Sequence, residues 1–251
     1  MLNIVIPMAG KGSRFVKEGY SDPKPLILLE KKRMIEVVIN NLRPSIEHRF
    51  IFICQQSHLL DYDLAVKLKE WAPGCEVIGI DGITEGAACT VLCAKEYINN
   101  DDSLMIANSD QWVDVDIDTY LAFMDSESLD GLIMTMKADD PKWSYAKVND
   151  KGSVVEVVEK VVVSDEATVG IYNYRHGSDF VIKAEKMIKN KIMSNGEYYV
   201  APVYTYMYED DDASVGVYNI GEEANGMYGL GIPSDLELFK TFEVYNKAIT
   251  F

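Results

Sequence analysis

Only three histidines, His48, His58 and His176, occur among the 251 residues. No Ser/His/Asp or Cys/His arrangement of the kind that activates a nucleophile can be assembled around them from the sequence. Cysteine is nearly as sparse. Cys54, Cys75, Cys89 and Cys93 contain no CxxC pair, and each is expected to be a buried thiol, as in the reducing cytoplasm. Apolar runs are all far shorter than the roughly 18 residues of a spanning helix. The N-terminus lacks a charged stretch followed by an apolar one, so neither export nor membrane insertion is expected. Positive charge is in deficit: 24 Lys and Arg against 40 Asp and Glu leave a formal charge of −16. That balance argues against a nucleic-acid-binding surface, which needs clustered cations. Any polyanion bound here must meet a local exception to the global field. Proline-rich linkers, repeats and low-complexity stretches are also missing, which favours one continuous unit over residues 1–251.

What is present is a folding pattern. Hydrophobic residues make up 48% of the chain, enough for a sizeable core. In the first half "LNIVIPM", "RFIFICQ", "CEVIGID" and "SLMIANSD" read as strands, and "MIEVVINNL", "LAVKLKEWA" and "ACTVLCAKEYI" read as helices. This βαβα alternation predicts an α/β fold with a mostly parallel sheet flanked by helices. Ligands in such sheets bind beyond the carboxyl ends of the strands. After residue 130 the rhythm changes. "DGLIMTMKA", "YAKVND", "SVVEVVEK" and "ATVGIYNY" are closely spaced strands that predict a small antiparallel lobe. A helix follows from about Ser178 with an apolar stripe of Phe180, Ala184, Met187 and Ile188. A last helix begins at Pro233, where Ser234 and Glu237 have capping-box spacing. Residues 1–130 thus form one half of the unit and 131–251 the other. The tyrosine-rich "EYYVAPVYTYMY" is suited to a pocket wall or to a subunit contact.

The first strand runs into "PMAGKGSRF". This is neither a Walker A loop nor a complete dinucleotide fingerprint. Gly10, Gly12 and Arg14 form GxGxR around Ser13; successive backbone N–H groups in such a turn attract phosphate oxygens, and Arg14 adds a planar fork. Lys24 lies ten residues on, between Pro23 and Pro25, which restrict where it can point. A turn that is basic by chance is the competing reading, and the ordered lysine tips the balance toward a polyphosphate socket. Further along, Gly86 and Ala87 at a helix start permit either a flat ring or a close helix contact. Asp110 ends a buried strand at the rim where ligands gather. Asp114, Asp116 and Asp118 resemble a DxD motif but read more simply as a solvated turn entering a helix.

"IPMAGKGSRF…PKPLILL", "TEGAACTVL", "NSDQW", "YAKVNDKGSVVEVVEK", "ATVGIYNY" and "GLGIPSDLELF" together resemble, in order and over nearly the whole chain, the nucleotidylyltransferases that make NDP-sugars and related activated metabolites. The resemblance implies a Rossmann-like mixed fold with an inserted substrate lobe, and a division of labour among residues. Ala9, Gly10, Gly12 and Ser13 would bind the nucleotide's phosphates, and Gly86 and Ala87 its base. Arg14, Lys24 and Lys160 would be the catalytic cations, with Lys160 on the acceptor's phosphate. Glu159, Gly170, Glu197 and Tyr198 would contact the acceptor, Gly170 by letting it lie against the strand. Asp110 would hold Mg²⁺ through one carboxylate. The second metal aspartate of the family is replaced by Gly229 or Gly231 in "GLGIP", and Asp235 is the substitute on offer, although a helix first turn explains an aspartate equally well.

The reaction implied is attack by an acceptor phosphate oxygen on the α-phosphorus of a nucleoside triphosphate, with loss of pyrophosphate. A phosphomonoester is largely ionised at neutral pH, so no general base is needed, which accords with the shortage of histidine. Without a C-terminal acetyltransferase extension, a single activity is expected. The wording of "TEGAACTVL" and "GLGIPSDLELF" is most similar to capsule-associated cytidylyltransferases, implying CTP and L-glutamine phosphate as substrates. A sugar 1-phosphate acceptor, and a non-catalytic nucleotide-binding regulator, remain open alternatives.

Overall fold

A computed structural model describes residues 1–251. Eleven strands form one twisted sheet, and its order in space differs from its order in sequence. Leu2–Met8 sits between His48–Gln55 and Ser103–Ala107, parallel to both, and Glu76–Ile80 adds a further parallel strand outside His48–Gln55. The second half joins through Glu166–Tyr174, antiparallel to both Ser103–Ala107 and Gly131–Lys137. Beyond it run Val215–Glu223, Gly226–Gly229 and Gln111–Val113. Ser144–Val148 and Val154–Glu159 make an antiparallel hairpin that touches the main sheet at Ala167↔Tyr145.

The strands are apolar on both faces because both faces are covered. On one side Ile4, Ile6, Phe52, Met105 and Ile171 pack beneath helices Met34–Leu42, Leu64–Trp71 and Ile117–Ser126. On the other, Val5, Ile53, Ile106, Tyr172 and Tyr174 meet helices Ala87–Leu92, Gly177–Lys189 and Val203–Asp211. A smaller cluster of Phe15, Trp112, Tyr228, Phe239 and Tyr245 anchors the C-terminal helices to the first loop. No helix is long and apolar enough to cross a membrane.

Several local expectations are corrected. "ACTVLCAKEYI" is two helices, Ala87–Leu92 and Lys95–Ile98. The break falls where the Cys93 and Ala94 N–H groups donate three residues back, to Thr90 and Val91, tightening the turn. The helix Pro233–Phe239 has Ile232 at its cap and no side-chain cap bond. Pro233 occupies the first helical position, so Ser234 lies inside the helix and cannot cap it. Three of the five tyrosines of "EYYVAPVYTYMY" are neither pocket wall nor surface: Tyr198, Tyr204 and Tyr206 are buried. Cys54 and Cys75 are buried, whereas Cys93 is exposed. The expected helix entry at Asp114, Asp116 and Asp118 holds: Asp116 caps helix Ile117–Ser126, accepting from the Asp118 and Thr119 N–H groups, while Asp118 accepts from the Ser45 N–H.

Candidate active site

Two adjoining cavities open at the carboxyl ends of the central strands. The first, of about 400 Å³, is lined by Gly10, Gly12, Ser13, Arg14, Lys24, Asn108, Ser109, Asp110 and Gly231 together with Pro7, Met8 and Pro25. Local sequence explains the convergence. Phe15 is buried and pins the five-residue helix Ser13–Lys17, which leaves Arg14 on the open side. Gly12 adopts φ +59°, and a Cβ there would sit 3.2 Å from Lys24 Cβ; glycine lets the two loops touch. Buried Pro25 and Leu26 fix the turn that begins at Lys24, and Arg33 clamps this loop through Asp22 Oδ2 at 2.6 Å and the Leu26 carbonyl. Lys24 is thereby aimed at Asp110, with which it forms an ion pair 86 residues away in sequence. Asp110 is itself fixed from behind, since its carbonyl accepts the Leu230 N–H at 2.8 Å.

Ala9 is the exception in this loop. It is buried, and its carbonyl is taken by the Gln55 amide, so it supports the turn without facing the cavity.

The second cavity, of about 250 Å³, shares Pro7 and Asn108 with the first. Ala87, Lys142, Trp143, Ser144, Glu159, Thr168, Gly170, Tyr172 and Tyr199 complete most of its wall. Glu159 is buried and accepts from the Ser144 hydroxyl. Burial pushes its carboxyl above the usual range, and the Ser144 bond and the Lys160 charge only partly oppose this. Strand alternation places Glu159 and Lys160 on opposite faces, but the structure does not. Lys160 has φ +58°, which ends the strand and swings its ammonium back to 3.8 Å from Glu159 Oε1 and 3.2 Å from the Tyr199 hydroxyl. That hydrogen bond raises the lysine's pKa.

The three other expected acceptor residues differ in placement. Gly170, φ +81°, stands in the second cavity's wall, and a Cβ there would lie 2.0 Å from the Asn108 amide nitrogen, so its missing side chain also makes room for Asn108. Tyr198 turns its ring into the core, its hydroxyl donating to the Ile188 carbonyl at 3.4 Å, and Tyr199 takes the place at the cavity. Glu197 is exposed and flanks the group, close enough for its charge to act on Glu159 and Lys160. Gly86 is likewise committed to packing: a Cβ would meet Tyr198 backbone atoms at 2.4 and 2.5 Å. Only Ala87 of that pair faces a cavity. Asn108 and Tyr199 were missed by sequence reasoning. Asn108 was legible as the first residue of "NSD" beside Asp110, whereas nothing in "EYYV" says which tyrosine faces inward.

The metal expectation divides. Asp110 is partly exposed in the first cavity. Asp235 is outside it, with Oδ2 3.3 Å from where a Gly229 Cβ would stand, and burial and the Glu223 charge push its carboxyl up. Its carboxylate stands beside the place of a Gly229 side chain and not of a Gly231 one, whose Cβ would lie 2.8 Å from Asp110 Oδ2. No three His, Cys, Asp or Glu side chains gather as a metal cluster. One carboxylate in a phosphate-sized, cation-lined cavity still fits Mg²⁺, which commonly takes one or two carboxylates and completes its shell with phosphate and water.

Fold and cavities together define the class, a mixed α/β protein with two cavities at the strands' carboxyl ends, where ligands bind in such sheets. More specifically, the chain belongs to the nucleotidyl transferase family, whose model matches residues 4–219. Among curated relatives, it is 26% identical over 212 residues to the bifunctional protein GlmU of Thermotoga maritima, covering 82% of this chain and 44% of that protein. It is 23% identical over 184 residues to the mannose-1-phosphate guanylyltransferase catalytic subunit beta of Dictyostelium discoideum, covering 68% and 49%. The chain thus spans about half the length of these relatives. A solved structure described as the nucleoside-diphosphate-sugar pyrophosphorylase from Vibrio cholerae RC9 superposes with a TM-score of 0.76 at 24% identity, covering 93% of this chain and 98% of that one. At that identity the likeness shows the fold.

Proposed function

We propose that this protein is a Mg²⁺-dependent nucleotidylyltransferase that joins a nucleoside monophosphate to a small phosphorylated acceptor. The observation that carries this reading is the pair of cavities sharing one wall at Pro7 and Asn108, one suited to a triphosphate and the other to an acceptor. An acceptor phosphate oxygen forms a bond to the α-phosphorus, the bond from that phosphorus to the β-phosphate bridging oxygen breaks, and pyrophosphate departs. No proton need be removed from the nucleophile, because a phosphomonoester is mostly dianionic near neutral pH.

The protein's task is to bring two anions together, which is electrostatic work. Arg14 and the backbone N–H groups of Gly10 to Ser13 hold the leaving pyrophosphate. Lys24 exchanges its ion pair with Asp110 for a phosphate oxygen. Lys160 holds the acceptor's phosphate beside Glu159. Mg²⁺ bound by Asp110, phosphate and water would neutralise charge on the triphosphate. Ala87 lines the second cavity at the helix start, so the nucleotide's base would extend past the shared wall at Asn108 to approach it.

For substrates, the wording of "TEGAACTVL" and "GLGIPSDLELF" supports CTP and L-glutamine phosphate, giving CDP-L-glutamine for modification of a capsular polysaccharide. A sugar 1-phosphate acceptor is the second reading, favoured by the mannose-1-phosphate guanylyltransferase relative. Incubation with Mg²⁺, each NTP in turn and a panel of phosphomonoesters, followed by pyrophosphate release and product mass, separates them. A CDP-glutamine mass supports the first, an NDP-sugar mass the second. Binding of an NTP with no product from any acceptor would overturn both in favour of a nucleotide-binding regulator.

A further inference from the structure

Lys160 is poorly placed to act unless something holds it. Its side chain is 43% exposed, its stem is flexible, and two carboxylates, Glu159 and Glu197, lie close enough to compete for its charge. A lysine in that setting ordinarily closes a tight pair with its neighbour. Here the ammonium stands 3.8 Å from Glu159 Oε1 and gives its hydrogen bond to the Tyr199 hydroxyl at 3.2 Å, while lying 5.3 Å from the centroid of the same ring. Glu159 is satisfied separately by Ser144.

Tyr199 is itself on rigid support. The residue before it has both backbone groups engaged: the Tyr198 N–H donates to the Glu85 carbonyl at 2.8 Å, and its carbonyl accepts the Ala88 N–H at 3.0 Å. Val200 after it is buried. Lys160 is anchored in turn by its own N–H, which donates to the Trp143 carbonyl at 3.0 Å. Two fixed backbones therefore bring one ammonium to the hydroxyl of Tyr199, which lines the second cavity, whereas Lys160 itself is not part of that lining. A neutral hydroxyl oxygen accepts a hydrogen bond from the cation there and carries no negative charge that would repel an incoming phosphate.

We propose that Tyr199 is a positioning residue for Lys160, its hydroxyl taking the ammonium's hydrogen bond so that the ion pair with Glu159 stays at 3.8 Å and the lysine can receive the acceptor's phosphate, an inference that rests on the reading that Lys160 binds that phosphate. The arrangement selects acceptors whose phosphate ends at the Lys160–Tyr199 pair while the remainder lies along Trp143 and Thr168.

The test is steady-state kinetics with CTP and L-glutamine phosphate, or with the sugar 1-phosphate and nucleotide that the panel selects. Tyr199→Phe keeps the ring and loses the hydroxyl; it should raise the acceptor KM about tenfold, as for loss of one hydrogen bond to a charged group, with the NTP KM and thermal midpoint unchanged. Tyr199→Ala should raise it at least as much, because the hydroxyl is lost with the ring. In a Lys160→Ala background Tyr199→Phe should add nothing. An unchanged acceptor KM in Tyr199→Phe alongside an impaired Lys160→Ala overturns the proposal alone. So do effects of the two substitutions that multiply. An unchanged acceptor KM in Lys160→Ala overturns the role of Lys160, and this inference with it.

Discussion

Replacing Gly86 by alanine tests whether the start of helix Ala87–Leu92 and the segment 197–199 are built as one unit. Gly86 has φ +135° and ψ 174°, a region essentially confined to glycine, where a side chain costs about 1–3 kcal/mol. The added Cβ would stand 2.4 Å from the Tyr198 oxygen and 2.5 Å from its nitrogen. These are backbone atoms and cannot rotate away, so the segment must move. Moving it breaks the Tyr198 to Glu85 and Ala88 to Tyr198 hydrogen bonds, each worth about 0.5–1.5 kcal/mol net. Strain and lost bonds together give roughly 2–6 kcal/mol, a large share of the roughly 5–15 kcal/mol that holds a typical domain. Urea unfolding should show the midpoint lowered with its m-value unchanged, and the acceptor KM should rise because Tyr199 is the next residue along. Gly82→Ala is the control: its φ is +77° but no atom lies within 4 Å of a Cβ, so only a backbone penalty of about 1 kcal/mol applies. If Gly86→Ala matches that control in both stability and acceptor KM, the two segments are not coupled as described.

Gly231→Ala should displace the Asp110 carboxylate, 2.8 Å from the new Cβ, and lower turnover at limiting Mg²⁺, whereas Gly229→Ala, whose nearest contact is a side-chain oxygen at 3.3 Å, should leave turnover near normal; equal effects in a Mg²⁺ titration would count against a site at Asp110. Glu159 has its carboxyl raised by burial, so ionising it is harder folded than unfolded, and its contribution to stability is intact in acid and lost as pH rises through the folded value. Glu159→Gln should therefore gain stability over the parent at neutral pH but not in acid, as read by thermal midpoints across pH, while acceptor use falls. Tyr204→Phe removes a hydrogen bond at 2.7 Å to the Asn173 carbonyl in the buried core and should cost about 1–2 kcal/mol in urea unfolding without changing either KM.

Much of the fold was legible because the sheet is buried on both faces. Runs such as "NIVIP" and "FIFIC" have no polar face to obscure them, and the helices between carry one apolar stripe each. The misreadings share a local cause. A proline at the first turn displaced the expected cap at Ser234, and an aligned apolar stretch hid the break at Cys93. Within the site, Gly10, Gly12, Arg14, Lys24 and Asp110 were readable as chemistry, since cations and glycines at a strand end have few other uses in so acidic a chain.

Facing direction was the part that sequence withheld. Lys160 leaves its strand with φ +58°, so the alternation rule fails at the residue where it was needed, and two adjacent tyrosines are told apart only by which one the core accepts. The cations, carboxylates and the alternation of strands with helices were determined by the amino-acid sequence, because residue type and periodicity suffice for them. That Lys24 pairs with Asp110 across 86 residues, that Asn108 packs over Gly170, and that Tyr199 rather than Tyr198 meets Lys160 were decided by tertiary structure, because each depends on how separate backbones approach one another in space.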